Sequence, residues 1–191
     1  GDRVEGPVRD GKSTFVAWHD IPLRHGMTVG ELARMFNEER AIGVKLDVVP
    51  LSGWRRDMWF EDTGLPWRNP SPNMRDMTAA ALYPGVGLVE FCVSVGRGTP
   101  HPFHVMGAPF IDSSALLKQL ERHASKLPGI RFEATSFTPV SSRFKDEVCD
   151  GVRFIVTDRD ALDPVAVGLA LATALYRLHP EKIDLARVNR L

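Results

Sequence analysis

Apolar positions recur along this chain with two different periods, and the switching between them predicts alternating strands and helices. Thr14 to Trp18 is a β-rich run. From Thr28 to Arg40 the period is helical: Val29, Leu32, Ala33 and Phe36 share one face, and Thr28 and Glu31 have the T-x-x-E spacing of a capping box. Trp18 and this stripe are expected to be buried. Val44 to Val49 predicts a strand ended by Pro50. Leu51 to Pro72 has no sustained period and carries Gly53, Gly64, Pro66, Pro70 and Pro72, which predicts an ordered surface loop. A loop of that length in a compact domain is usually functional.

Asn73 to Leu82 predicts a short helix stopped by Pro84-Gly85, and Gly87 to Val93 a strand. Asp112 is placed to cap a helix from Ser113 to about Lys126, with Leu116, Leu117 and Leu120 as its buried stripe and Pro128-Gly129 as its stop. Ile130, Phe132 and Ala134 alternate as a strand, and so do Val152, Phe154 and Val156. Asp163-Pro164 supplies an N-cap and an N1 proline for an apolar helix ending near His179-Pro180. Asp184 to Leu191 reads as a helix cut short. The pattern as a whole is α/β.

Composition narrows the function classes. With Lys+Arg 24 against Asp+Glu 24 the net charge is +0, so no global field draws the 191-residue chain to nucleic acid or to an anionic membrane surface. A hydrophobic content of 43% with 25% charged residues predicts a packed core. Cys92 and Cys149 lack CxxC spacing and are expected to be buried free thiols. No apolar run reaches the ~20 residues of a membrane span, and the chain opens without the basic and apolar regions of an export signal.

Several weak motifs lead nowhere. Gly85-Val-Gly87-Leu-Val-Glu90 lacks the third glycine of a dinucleotide fingerprint and precedes a predicted strand instead of following one. His101 and His104 are separated by Pro102, which prevents a helical metal-binding face. Ser94 lacks the G-x-S-x-G frame of a nucleophile elbow. No cofactor and no metal is expected.

The chemistry that remains is concentrated between Ser52 and Asn73, where three of the four tryptophans lie among arginines and asparagines. Tryptophan faces offer flat apolar platforms, while arginine forks and amides read hydroxyls, acetamido groups and carboxylates. Trp54, Arg55, Asn69 and Asn73 are therefore candidate contacts for a sugar bearing an N-acetyl group and an acid. Alternatively the tryptophans pin the loop and the charges face water. Trp54 should keep part of its ring exposed if it is a platform. Downstream, Glu90 lies in an apolar run and must pair, titrate or face a polar cleft. Its natural partner is Arg97, between two glycines that let other groups approach its backbone. The alternative is an edge glutamate in solvent. Arg97 itself either binds the acid group of a ligand or only pairs with Glu90.

Four strings carry a resemblance: R-H-G-M-T-V-G-E-L-A from Arg24 to Ala33, G-W-R-R-D-M from Gly53 to Met58, N-P-S-P-N-M from Asn69 to Met74, and S-V-G-R-G-T-x-x-P-F from Ser94 to Phe103. In this order, and over essentially the whole chain, they resemble the bacterial exo-β-N-acetylmuramidases. The resemblance implies a peptidoglycan-recycling glycoside hydrolase that releases terminal N-acetylmuramic acid from the non-reducing end of cell-wall glycan. It implies the end of a Rossmann-like domain, residues 1–43, followed by a smaller mixed α/β C-terminal domain, residues 44–191, that contributes to an inter-domain cleft. The expected partner is a muramyl saccharide in the cell envelope or outside the cell. The family's P-E-H-G motif, in which the leading catalytic glutamate is expected, does not occur in this chain, so the segment alone is expected to be inactive. Glu90 is a candidate for a catalytic role, although the family typically reads E-G-T-N where this chain has Glu90-Phe-Cys-Val. The alternative is a non-catalytic wall-glycan-binding or interaction module.

Overall fold

A computed structural model describes residues 1–9, 13–15 and 17–188. The chain forms two compact units, Gly1–Trp67 and Arg68–Leu191, and its elements are a mixture of helices and small antiparallel sheets.

In the first unit, β1 (Glu5–Val8) pairs antiparallel with β2 (Pro22–Arg24), and Arg24 donates to Glu5 across the ribbon at 2.7 Å. The helix α1 (Val29–Glu39) starts where its capping box predicts. Glu31 N–H donates to Thr28 Oγ1 at 3.2 Å, and Thr28 N–H donates back to Glu31 Oε2 at 2.7 Å. The expected burial of its stripe is not found, because no described residue of this unit is buried. Val29 is 85% exposed, and Trp18 is 43% exposed with Phe36 edge-on at 5.2 Å and the Arg40 guanidinium over its ring. One helix and one two-stranded ribbon offer too little surface to close a core.

Both strands predicted here are absent among the described residues. Thr14 to Trp18 is a turn in which Thr14 Oγ1 accepts from Ala17 N–H at 3.0 Å, and Val16 lies outside the described residues. At the start of the 44–49 run, the Asn37 amide donates to Val44 O at 2.9 Å and accepts from Val44 N–H at 3.0 Å. A side chain thus takes the place of a strand neighbour, and the run stays unpaired. The segment after it is a loop with a single 3₁₀ turn, Phe60–Thr63, as its Gly and Pro spacing predicts.

The second unit carries the core. Its sheet has the order β3 (Val105–Ala108), β5 (Cys149–Val156), β4 (Ile130–Phe137), all antiparallel, with Phe132 opposite Phe154 and Met106 opposite Val152. β4 and β5 fall where alternation predicts them, whereas β3 was not legible. The helix α3 (Ser113–Glu121) is capped by Asp112, buries Leu116 and Leu120, and packs on β4 and β5. It ends before Lys126, whose predicted last turn is a separate 3₁₀ turn, Ala124–Lys126. The helix α4 (Pro164–Leu178) has the predicted Asp163 cap and N1 proline. The chain after Asp184 forms one 3₁₀ turn, Leu185–Arg187, and the remainder of the helix expected there lies outside the described residues. Cys92 and Cys149 are buried thiols that form no disulfide with each other, and burial pushes the Cys149 thiol up to about 11.

Between Asn73 and Val93 two elements differ from expectation. The helix α2 (Met77–Val86) starts at an Asp76 cap, later than predicted, and runs through Pro84 without stopping. Proline in the last turn forfeits only one backbone bond, and the helix is held by what it packs against. After it, Gly87 to Val93 is no strand. Gly87–Val89 is a 3₁₀ turn buried against α4, and Glu90 is its C-terminal cap. Gly87–Val89 is a buried turn, which period alone cannot distinguish from a buried strand, and Phe91 beyond it is 38% exposed.

α2 and α4 cross through glycine. A Cβ on Gly85 would lie 1.7 Å from Pro164 O, and one on Gly168 would lie 2.4 Å from Gly85 O. Around this contact are buried Ala79, Leu82, Val86, Leu171 and Leu175. Gly85→Ala is expected to lower stability by about 3 kcal/mol through overpacking against backbone that has no rotamer to change. Gly168→Ala should cost a similar amount, and the double variant less than the sum, because both strain one contact. Urea melts of the three variants check this.

At the end of α4, His179 packs edge-on to Phe110 at 5.2 Å, and its Nε2 is buried without a hydrogen-bond partner. Burial lowers its pKa below the ordinary 6.5. The folded state therefore favours neutral imidazole: its contribution to stability is full above 6.5 and is lost as pH falls through the depressed folded value. The Tm should fall on acidification through this window, and His179→Leu should remove part of that fall.

Candidate functional site

The sequence-predicted residues divide between the two units. Trp54 and Arg55 lie in the first. Trp54 is half-buried, and the guanidinium that covers its ring, at 5.4 Å, belongs to Arg56. Arg56 also donates to Gly26 O at 2.6 Å and forms an ion pair with Glu31. That pairing, together with the Thr28 backbone bond, holds the Glu31 carboxyl down to about 2. Arg55 points outward and pairs with Asp57 at 3.2 Å. Of the two adjacent arginines, Arg56 organises the loop and Arg55 is the exposed one, which residue type could not decide.

Asn69, Asn73, Glu90 and Arg97 lie in the second unit. Asn69 is exposed and Asn73 half-buried, on the segment that leads into α2. This segment is tied to the loop of residues 96–104 at two points. Arg75 donates to Pro100 O at 3.4 Å, and His104 Nε2 lies 3.0 Å from both Asp76 carboxylate oxygens. Asp76 at the same time caps α2 by accepting from Ala79 N–H at 2.7 Å. Two of the strings that carry the resemblance, N-P-S-P-N-M and S-V-G-R-G-T-x-x-P-F, are thus brought side by side.

The second string is anchored to the sheet. Ser94 and Gly107 exchange backbone hydrogen bonds, each 2.9 Å, so residue 94 extends the β3 edge. The chain then turns through Gly96 and Gly98, both at positive φ. Thr99 Oγ1 closes the turn on Gly96 O at 2.7 Å. The room beside Gly98 is filled by a neighbouring loop: a Cβ there would lie 2.6 Å from Ser141 N, and Val140 N–H donates to Gly98 O at 3.0 Å. The two glycines therefore serve loop packing and hold Arg97 on the turn between them.

Arg97 Nη2 donates to Glu90 Oε2 at 2.9 Å and to Oε1 at 3.3 Å. The side chains are 28% and 15% exposed, so the pair sits at the rim of the unit, only partly screened by water. The guanidinium lies over the ring of Phe103, 5.0 Å from its centroid. Phe103 is 1% exposed and adopts φ +65, a conformation costly for a bulky residue that only the surrounding packing maintains. Tyr83, from α2, packs edge-on to the same Phe103 ring at 5.1 Å. Among the described residues, Nε and Nη1 of Arg97 have no hydrogen-bond partner, which leaves three N–H donors open.

Tyr83, Phe103 and the Asp76–His104 pair were missed in the sequence. Phe103 stands inside the quoted motif, and Tyr83, Glu90 and Arg97 are spaced by sevens, but no single helix runs through them to give that spacing meaning. No helix among the described residues is long and apolar enough to cross a membrane.

Comparison with known proteins places these motifs. Residues 81–191 match a family model described as exo-beta-N-acetylmuramidase NamZ, C-terminal, and residues 1–78 match its N-terminal counterpart. The peptidoglycan beta-N-acetylmuramidase NamZ of Bacillus subtilis (strain 168) is 44% identical over 186 residues, which cover 96% of this chain and 44% of that relative. A solved DUF1343 family protein of Bacteroides fragilis superposes with a TM-score of 0.86 at 30% identity, over 98% of this chain and 51% of the other. A second protein of that family and organism gives 0.67 at 26% identity, over 97% and 50%. The chain spans about half the length of the relatives it matches. Matched by both family models in succession, the chain belongs to the exo-beta-N-acetylmuramidase NamZ family.

Proposed function

We propose that this chain is part of a peptidoglycan-recycling glycoside hydrolase that releases terminal N-acetylmuramic acid from the non-reducing end of cell-wall glycan, in the cell envelope or outside the cell. The support is the likeness along nearly the whole chain to a peptidoglycan beta-N-acetylmuramidase. The geometry adds a reason for the substrate. N-acetylmuramic acid differs from N-acetylglucosamine by a lactyl carboxylate, and Arg97 offers a planar, partly buried guanidinium with Nε and Nη1 open. Glu90, with both oxygens on Nη2, holds that guanidinium and leaves Nε and Nη1 unused. In this reading Glu90 is a positioning group and not the acid of the reaction. Trp54, Arg55, Asn69 and Asn73 are proposed to contact the glycan.

Two outcomes are expected. In the full-length protein Arg97→Lys keeps the charge and loses the fork. It should weaken muramic substrates by about 1.5 to 3 kcal/mol more than N-acetylglucosamine analogues, as expected for a charge-assisted bond. Kinetics on the two chromogenic glycosides decide: equal losses on both, with a lowered Tm, would mean that Arg97 only holds the loop. The isolated 191-residue chain should show no turnover of a chromogenic N-acetylmuramide, while the full-length protein hydrolyses it, because glycoside hydrolysis ordinarily needs two groups flanking the scissile bond. Turnover by the isolated chain would place that machinery within these residues. Muramic acid binding without hydrolysis by the full-length protein would point to a glycan-binding module.

A further inference from the structure

We infer that Tyr83 is a ligand-binding residue of this site, donating its phenolic hydrogen to the same carboxylate that Arg97 grips; this rests on the carboxylated-sugar reading above. The Phe103 ring is the common floor. The Arg97 guanidinium lies over its face at 5.0 Å, and Tyr83 meets it edge-on at 5.1 Å with an interplanar angle of 82°. Phe103 is buried, whereas Tyr83 is half-buried and the Arg97 side chain is 28% exposed, so both polar side chains reach solvent while the ring between them does not.

The Tyr83 hydroxyl has no hydrogen-bond partner among the described residues, yet it is not among the buried polar atoms left without one. It is thus accessible and unspent. The phenol is close enough to Glu90 and Arg97 to feel both charges, and burial first, then Glu90, keeps it protonated above the ordinary range. A neutral O–H beside a guanidinium suits a bound anion: the arginine supplies charge and the phenol a second direction of donation. Glu90 already occupies Nη2, so it does not compete for the open edge. An uncharged sugar gains little from such a pair. A carboxylate on a short branch satisfies both donors at once.

Ring packing and hydroxyl function separate cleanly in Tyr83→Phe, which leaves the contact with Phe103 in place. In the full-length protein this variant should keep the wild-type Tm. It should raise KM for an N-acetylmuramide about fivefold to tenfold, the size of one hydrogen bond, with little change on an N-acetylglucosaminide. Combined with Arg97→Lys, the loss should be less than the product of the single losses, since both groups hold one carboxylate. Wild-type turnover with unchanged Tyr83→Phe kinetics on both substrates overturns the assignment of Tyr83 alone. Equal losses on both substrates also overturn it and place the hydroxyl on a part of the sugar common to both. A wild-type protein that neither binds nor hydrolyses the muramide overturns the substrate reading and this inference with it.

Discussion

The contact on which the second unit depends is one where side chains are missing. α2 and α4 meet backbone to backbone at Gly85 and Gly168, closer than any Cβ allows. Helices that approach so closely bury their flanking residues completely, and Leu82, Val86, Leu171 and Leu175 fill the space on either side. That crossing fixes the end of α2. The chain continues as a buried 3₁₀ turn, and Glu90 emerges at the first position where a carboxylate reaches water. Tyr83, on the same helix two residues before the crossing, is set by it as well.

The rest of the site is held by backbone that would be strained anywhere else. Gly96, Gly98 and Phe103 all have positive φ within one short loop, and the loop that covers it adds Ser142, Phe144 and Asp146. Glycine adopts such conformations freely, whereas for a bulky residue such as Phe103 they persist only when many contacts insist on them. Here the contacts are identifiable: the Ser94–Gly107 exchange, the Val140–Gly98 bond, and Arg143, whose Nε donates to Cys92 O at 3.0 Å while its guanidinium stacks on Phe144. The Arg97–Glu90 pair therefore rests on a frame fastened to the sheet, to α2 and to the covering loop. The grip on a carboxylate proposed for Arg97 requires a guanidinium that is held still.

The first unit is organised differently. Without a buried residue among those described, it relies on local bonds: the capping box of α1, the Glu31–Arg56 pair, and the contacts of Trp18 with the edge-on Phe36 ring and the Arg40 guanidinium. Each is partly exposed, so each contributes modestly and is screened by salt. Arg56 nonetheless links α1 to the tryptophan-rich loop, whose regular structure among the described residues is a single 3₁₀ turn.

What could be read from the chain alone was whatever depends on neighbours in sequence. The caps at Thr28, Asp112 and Asp163 are local hydrogen bonds, and each appears where its spacing predicts. β4 and β5 lie where their period-two alternation predicts them, although in β4 the alternation of burial breaks at Glu133 and Ala134, both exposed. The Glu90–Arg97 pairing was legible as one of two alternatives, since a charge in an apolar run needs a partner. Tertiary structure alone decided the rest. It turned the apolar stretch after Gly87 into a buried turn, carried α2 past Pro84, and left Val44 to Val49 unpaired. It also set Tyr83 and Phe103 beside Arg97. In each case the deciding partner lies outside the segment it decides: α4 for the turn and the helix, Asn37, seven residues earlier, for Val44, and the fold of the 94–104 loop for the aromatic floor. Periodicity reports how much of a segment is buried, but not what it is buried against, and it is the second that chooses between strand, turn and helix.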